Sequence, residues 1–363
     1  MLVVEHDPDM MAIADHLIDL GPGAGPDGGQ VVYQGGYQGL TRADTPTGHG
    51  LREHRHTSRN RRRSTGWIDI TDATTNNLQH VSTRIPRGVL TAVTGVAGSG
   101  KTSLLLGNLP TAEPGTVVID QRPIRGSRRS SPATFTGLLN PIRDVFTKAT
   151  GAPAGLFTPN STGGCPAREG NGVIYTDLAF MEGVLTRCEV CAGRRFTPQA
   201  QAHKVAGKSI ADVLEMSVAQ ALNHFTQPAI RATLSRLQDV GLAYLTLGQT
   251  LTSLSGGERQ RLKLATELAD PGRTIVLDEP TTGLHIADVT RLIELLDRLT
   301  EAGSTLVVIE HNLDVIAAAD WIIDIGPEAG HDGGRIVFEG TPDQMVTDSR
   351  THTAEHLRRH MSS

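Results

Sequence analysis

Hydrophobic and polar positions along the chain fall into short apolar runs, Gly-rich turns and helical periodicities. Residues 1–40 read as strand, helix, turn, strand: "MLVV", then "DMMAIADHLIDL", then a Gly/Pro-rich turn, then "QVVYQG". Residues 41–66 carry few apolar side chains and hold "LREHRHTSRNRRRSTG", the composition of a basic, flexible linker. From "WIDI" at 67 the alternation of apolar runs with helical patterns predicts an α/β domain reaching about 345. A Gly-, Pro- and Arg-rich insertion interrupts it at about 111–207, and residues 346–363 form a helical C-terminal tail. Within the domain, "LTAVT" (90–94) is an apolar run, "TIVLDEP" (274–280) a buried strand ending in two acids, and "TLVVIE" a strand running into His311.

The pattern also repeats. Residues 3–35 align without a gap to residues 308–340, with 18 of 33 positions identical. The opening "VVEHDPDMMAIADHLIDLGPGAGPDGGQVV" is a copy of "VIEHNLDVIAAADWIIDIGPEAGHDGGRIV", so the chain starts with a version of its own last domain segment.

Composition narrows the classes. A chain of 363 residues with 38 % hydrophobic content can build a core, and a net charge of −5 confines any nucleic-acid binding to local patches. Glu5, Asp7, Asp9, Asp15 and Asp19 argue against a signal peptide, and no apolar run approaches the roughly 18–20 residues of a membrane span. The expectation is a cytoplasmic protein without membrane insertion. Cys165, Cys188 and Cys191 fall in one segment, an odd, clustered set that points to metal rather than to disulfides.

The chemistry-bearing motifs are specific. In "LTAVTGVAGSGKTSLL", Gly95, Gly100, Lys101 and Thr102 fit G-x-x-x-x-G-K-[ST], with Gly98 also in the loop. Glycines let backbone N–H groups approach phosphate oxygens, Lys101 supplies charge to the β- and γ-phosphates, and Thr102 offers a hydroxyl to Mg²⁺. Asp278, at a strand end, is a second Mg²⁺ ligand, and Glu279 is placed to polarise an attacking water. "LTSLSGGERQRLKLATELAD" opens a second anion-facing helix, with Ser255 as N-cap before Gly256 and Gly257 and with Leu262, Ala265 and Leu268 on its apolar face.

These motifs, in this order, resemble an ATP-binding-cassette ATPase, which implies an α/β P-loop fold with an inserted helical signature region and a small cysteine-containing, zinc-module-like insertion. That resemblance implies that Gln121 is the Q-loop glutamine, "TTGLH" (281–285) the D-loop region and His311 the γ-phosphate switch. "RRSSPATFTGLLNPIRDVF", "CEVCAGRRF", "IADVLEMSVAQAL" and "IDIGPEAGHDGGRIVFEGTP" narrow it further, because they resemble the C-terminal half of the UvrA family of excinuclease ABC proteins over nearly the whole chain. By that resemblance residues 1–40 are the tail of a first cassette whose P-loop, signature and Walker B strand are missing. Missing with them is the region that recruits the excinuclease partner UvrB. A shortened member, one half of a split protein and a truncated frame all fit.

The family's implied function is ATP-driven recognition of DNA damage in nucleotide excision repair. An ATPase of drug resistance or transport, and an inactive remnant, are the alternatives. A composite site of this kind needs a homodimer or a separate first-half cassette. The family also places a zinc module of two C-x-x-C pairs where the cysteines lie. Here Arg168 stands at one expected ligand position, so a His or water completes the site or the metal is lost. Arg128, Arg129, Arg187, Arg194 and Arg195 are the candidate DNA-phosphate contacts, whereas Arg59 and Arg61 to Arg63 read as solvation of the linker.

Overall fold

The computed structural model describes residues 1–363 except 6, 22–27, 54–60, 121, 123, 125–128, 177–183, 269–271 and 363. The strands are β1 (Leu17–Gly21), β2 (Gln30–Gly35), β3 (Trp67–Ala73), β4 (Val81–Pro86), β5 (Leu90–Thr94), β6 (Val117–Ile119), β7 (Val173–Thr176), β8 (Val184–Arg187), β9 (Lys204–Val205), β10 (Lys208–Ser209), β11 (Thr274–Asp278), β12 (Thr305–Ile309), β13 (Trp321–Gly326) and β14 (Arg335–Gly340). The chain divides into two compact units, one of residues 1–122 with 267–363, the other of residues 123–266.

The first unit is built on a six-stranded sheet in the order β14-β13-β5-β12-β11-β6. All its pairs are parallel except β13–β14, which closes one edge as an antiparallel hairpin. The runs without alternation are its centre: every residue of β5 and β12 is buried, as is all of β11 up to Asp278. The β3–β4 hairpin alternates instead, and turns Ile68, Ile70, Val81 and Ile85 inward. These join Leu104, Leu105 and Leu109 from the helical segments after the P-loop, and Val93, Val276, Val307 and Ile323 from the sheet, in one core cluster. Helix Ile286–Glu301 contacts β12 and β5 with a buried stripe of Val289, Leu292, Leu295, Leu296 and Leu299 at helical spacing.

Two expectations change in the N-terminal region. The helix expected over 9–20 stops at Ala12, and "LIDLG" is strand β1, paired antiparallel with β2. So short an alternation of apolar and polar residues fits either period, and pairing with residues 30–35 decides for the strand. The "MLVV" expected as a strand takes no regular structure.

Within 41–66, helix Pro46–Glu53 is present. Its Thr47 Oγ1 donates to Asp19 Oδ1 (2.8 Å) and lies 2.8 Å from His285 Nε2. His285 Nδ1 accepts the Ala287 N–H at the start of helix Ile286–Glu301, so Nε2 carries the proton and donates to Thr47. Arg61 and Arg62 do not merely solvate. Arg61 donates to the carbonyls of Ala317 (2.7 Å) and Ala319 (2.9 Å), and Arg62 pairs with Asp320 (3.1 Å) and Asp297 (3.1 Å). Asp320 is almost wholly buried and also accepts the N–H of Leu90, the first residue of β5. The two arginines thereby fasten the segment to the sheet.

The second unit is mainly helical from Ile210 onward, as expected of the helical signature region that the cassette resemblance implies. Helices Ile210–Glu215 and Val218–His224 each begin with a capping box, on Ser209 and Ser217. The β7–β8 hairpin and the three cysteines sit on the N-terminal side of these helices in sequence.

Removing the Arg62 guanidinium leaves a buried carboxylate without its cation. Arg62→Ala is expected to lower the unfolding free energy by about 2–4 kcal/mol in urea denaturation. A loss below about 0.5 kcal/mol, the range of an ordinary surface change, would contradict this role.

Candidate nucleotide site

The sheet order brings the carboxyl ends of β5, β12 and β11 side by side, and each strand stops being apolar at that edge. Ligands of open parallel sheets gather at this edge. β5 runs into the loop 95–100, where Gly95, Gly98 and Gly100 all have positive φ, at 129°, 77° and 113°. A Cβ on Gly95 would come within 2.0 Å of the Ile325 carbonyl, so only glycine fits there.

The loop's carbonyls are taken from behind. Lys101 Nζ donates to those of Gly95 (2.8 Å) and Val96 (2.9 Å). The Gly330 N–H donates to Gly98 O (3.1 Å), Gly334 N–H to Ser99 O (3.0 Å), and the Asn77 amide to Gly98 O (3.0 Å). The Gly-rich turn between β13 and β14 is therefore a clamp on the phosphate loop. Composition alone marks it only as a turn, although the repetition of "GPxAGxDGG" is a signal that it does more.

Charges concentrate around Lys101. Burial lowers the pKa of its ammonium, while Glu279, Asp324 and Asp278 oppose that shift. Asp278 is pushed up by burial and by the neighbouring Glu279 and Asp120 carboxylates. Thr102 is exposed at the start of helix Lys101–Gly107. An exposed hydroxyl in the residue after Lys101 and a strand-end carboxylate crowded by like charge are donors suited to a hard divalent cation, which would relieve the repulsion.

Glu279 follows at φ 49°, a left-handed backbone uncommon for a side chain of this size. Its N–H donates to Ile309 O (2.9 Å), and its Oε1 lies 3.4 Å from His311 Nε2. Burial and the Lys101 charge push the His311 imidazole towards its neutral form, against the pull of Glu279. Beside His311 stands Glu310, 2 % exposed, a residue whose role no local motif announces. Gln121 lies outside the described residues.

Ser255, Gly256 and Gly257 belong to the second unit. The expected cap is present: Glu258 N–H donates to Ser255 Oγ (3.2 Å) and Ser255 N–H to Glu258 Oε2 (2.7 Å). Tyr244 OH donates to the other Glu258 oxygen (2.7 Å), and burial with that carboxylate pushes its phenol up to about 12. Leu262 and Ala265 are buried on the face predicted for them.

In the same unit Cys165, Cys188 and Cys191 are buried, and their Sγ atoms all lie within 4.8 Å of one another. Three thiols this close would suit three corners of a tetrahedral zinc site, and no fourth His, Cys, Asp or Glu joins them among the described residues. Arg168, at the expected ligand position, is exposed.

The arginines sort by their partners. Arg195, expected on a DNA face, instead donates inward to the carbonyls of Arg129 (2.9 Å), Gly170 (3.0 Å) and Gly248 (3.3 Å). Arg194 is held by Asp212 and Glu215, and Arg129 pairs with Glu169 at 2.6 Å. Arg187 is exposed at the end of β8, and Arg128 lies outside the described residues.

The model of the ABC transporter family matches residues 78–282. UvrABC system protein A of Vibrio vulnificus is 43 % identical over 397 residues, covering 99 % of this chain and 42 % of the relative. That of Aquifex aeolicus is 43 % identical over 398 residues, covering 99 % and 43 %. The crystal structure of UvrA2 from Deinococcus radiodurans superposes with a TM-score of 0.91 at 42 % identity, over 99 % of this chain and 48 % of that one. The chain thus spans less than half the length of the relatives it matches. With the phosphate loop, its clamp and the strand-end acids in one sheet, the chain belongs to the ABC transporter family, and over nearly its whole length it is similar to UvrA proteins.

Proposed function

We propose that this chain binds and hydrolyses Mg–ATP as part of a cytoplasmic UvrA-like machine that recognises damaged duplex DNA in nucleotide excision repair. The observation that carries this is the convergence of Lys101, Thr102, Asp278, Glu279 and His311 at one edge of the sheet. In this reading Lys101 leaves the loop carbonyls for the β- and γ-phosphates, which take up the charge that it now shares with backbone dipoles. Thr102 and Asp278 would hold Mg²⁺, which would supply charge neutralisation of the phosphates. Glu279 accepts a proton from the water attacking the γ-phosphorus as the bond to the ADP oxygen breaks, and His311 holds a γ-phosphate oxygen. Gln121 is assigned the catalytic role of the Q-loop glutamine that the family resemblance gives it.

Ser255, Gly256 and Gly257 face a nucleotide held by another cassette, supplied by a second copy or by a first-half cassette. No described helix is long and apolar enough to cross a membrane. For DNA we retain Arg187 and Arg128 as phosphate contacts, with Arg129 and Arg194 in their neighbourhood in sequence. Arg195 is left out of this set because it spends three of its five N–H donors on carbonyls of its own unit. We further assign zinc to Cys165, Cys188 and Cys191, with water as the fourth ligand.

Glu279→Gln is expected to keep ATP affinity while lowering turnover by roughly 10²- to 10⁴-fold in single-turnover assays. A variant that turns over as fast as wild type would remove Glu279 from the chemistry. Ultraviolet-damaged duplex should bind with a steep salt dependence, and Arg187→Ala should reduce the log–log salt slope by about one. No binding at low salt would overturn the repair reading. Elemental analysis should find about one zinc per chain, lost on Cys188→Ser while the far-ultraviolet dichroism of the rest persists. Metal-free wild-type protein with its three thiols intact would refute the zinc assignment.

A further inference from the structure

Glu310 is a carboxylate buried just past the end of β12, the strand between β5 and β11. Burial opposes its charge, and the protein answers with hydrogen bonds to both oxygens. Its Oε1 accepts the N–H of Thr281 (2.9 Å), and its Oε2 accepts the Thr281 hydroxyl (3.0 Å) and the N–H groups of His311 (2.9 Å) and Asn312 (3.1 Å). One side chain thus joins two loops from different strands, the turn after Glu279 and the turn that carries His311.

A shorter polar residue would suffice if the need were only to satisfy the two N–H groups at 311 and 312, as Asn312 does for Asp314 and Val315. What the longer carboxylate adds is its reach to Thr281. That reach matters because the Glu279 backbone is in a sparsely populated conformation, one that persists only where its surroundings hold it. On one side the hold is Glu279 N–H to Ile309 O, and on the other it is Thr281 on Glu310.

We infer that Glu310 is a positioning residue: it ties the Thr281 turn to the His311 turn, so that Glu279 and His311 are presented to the γ-phosphate at one fixed separation. The inference rests on the hydrolysis reading for its kinetic consequence, but not for its structural one. Anything that displaces the Thr281 turn, including the approach of a second cassette, would be passed to His311 through this carboxylate.

The test uses the full chain labelled with ¹³C,¹⁵N-histidine, with the His311 imidazole cross-peak assigned by its loss in His311→Ala. Glu310→Gln keeps the shape but places an amide donor against an N–H donor. Thr281→Val removes one bond from a residue remote in sequence from His311. Both are expected to shift the His311 cross-peak without nucleotide. Where the wild type turns over, each should lower kcat, Glu310→Gln by roughly 10- to 100-fold, with ATP affinity changed by no more than about twofold. The double variant should be no worse than Glu310→Gln alone, because both act through one contact. A His311 cross-peak unmoved by either variant, or kcat losses that multiply in the double variant, would overturn the inference. Cross-peaks that shift in both variants while the wild type shows no turnover would support the latch and count against the hydrolysis reading alone.

Discussion

A strand buried on both faces can carry no charge until it ends. β5, β12 and β11 lie side by side and are apolar almost throughout, so their polar chemistry is forced to one edge. Lys101 just beyond the loop after β5, Asp278 and Glu279 at the end of β11, and Glu310 and His311 after β12 are there for that reason. The electrostatics follow: acids crowd one another, the lysine is desolvated, and the lysine turns to backbone carbonyls. The strand order supplies the site, and the loops refine it.

The duplicated segment shows what that edge demands. In the second copy the turn after β13 clamps the phosphate loop, and Asp324 accepts the hydroxyls of Thr94 (2.8 Å) and Thr353 (3.1 Å). In the first copy the equivalent Asp19 accepts the hydroxyl of Thr47. β13 lies between β14 and β5, with Ile323 and Ile325 buried, whereas β1 pairs only with β2 among the described residues. Ile18 and Leu20, at the positions of Ile323 and Ile325, are 55 % and 65 % exposed. The same alternation is therefore buried or exposed according to whether a parallel neighbour stands beside it.

What can be read from the chain depends on how local each requirement is. The phosphate loop, the Ser255 cap and the strand-end acids are dictated within a few residues, by positive φ, by an orphan N–H or by the end of a buried run, so the sequence exposes them. Strand β1 is hidden because "LIDL" fits both periods and only its partner at 30–35 decides. Arg62 and Arg195 look like surface charge, since nothing nearby in sequence announces Asp320 or the carbonyls of Gly170 and Gly248. Glu310 is visible only as half of a repeated Glu-His pair. Its place depends on Thr281, a partner brought close by strand order rather than by sequence.

If the nucleotide on Lys101 is completed by a Ser255 helix from another cassette, hydrolysis must depend on association. The specific ATPase rate of the purified chain, measured against its concentration with mass followed by light scattering, decides this. The expected outcome is a rate per chain that rises as monomer gives way to dimer. A constant, substantial rate from a chain that stays monomeric would show that no second cassette is needed.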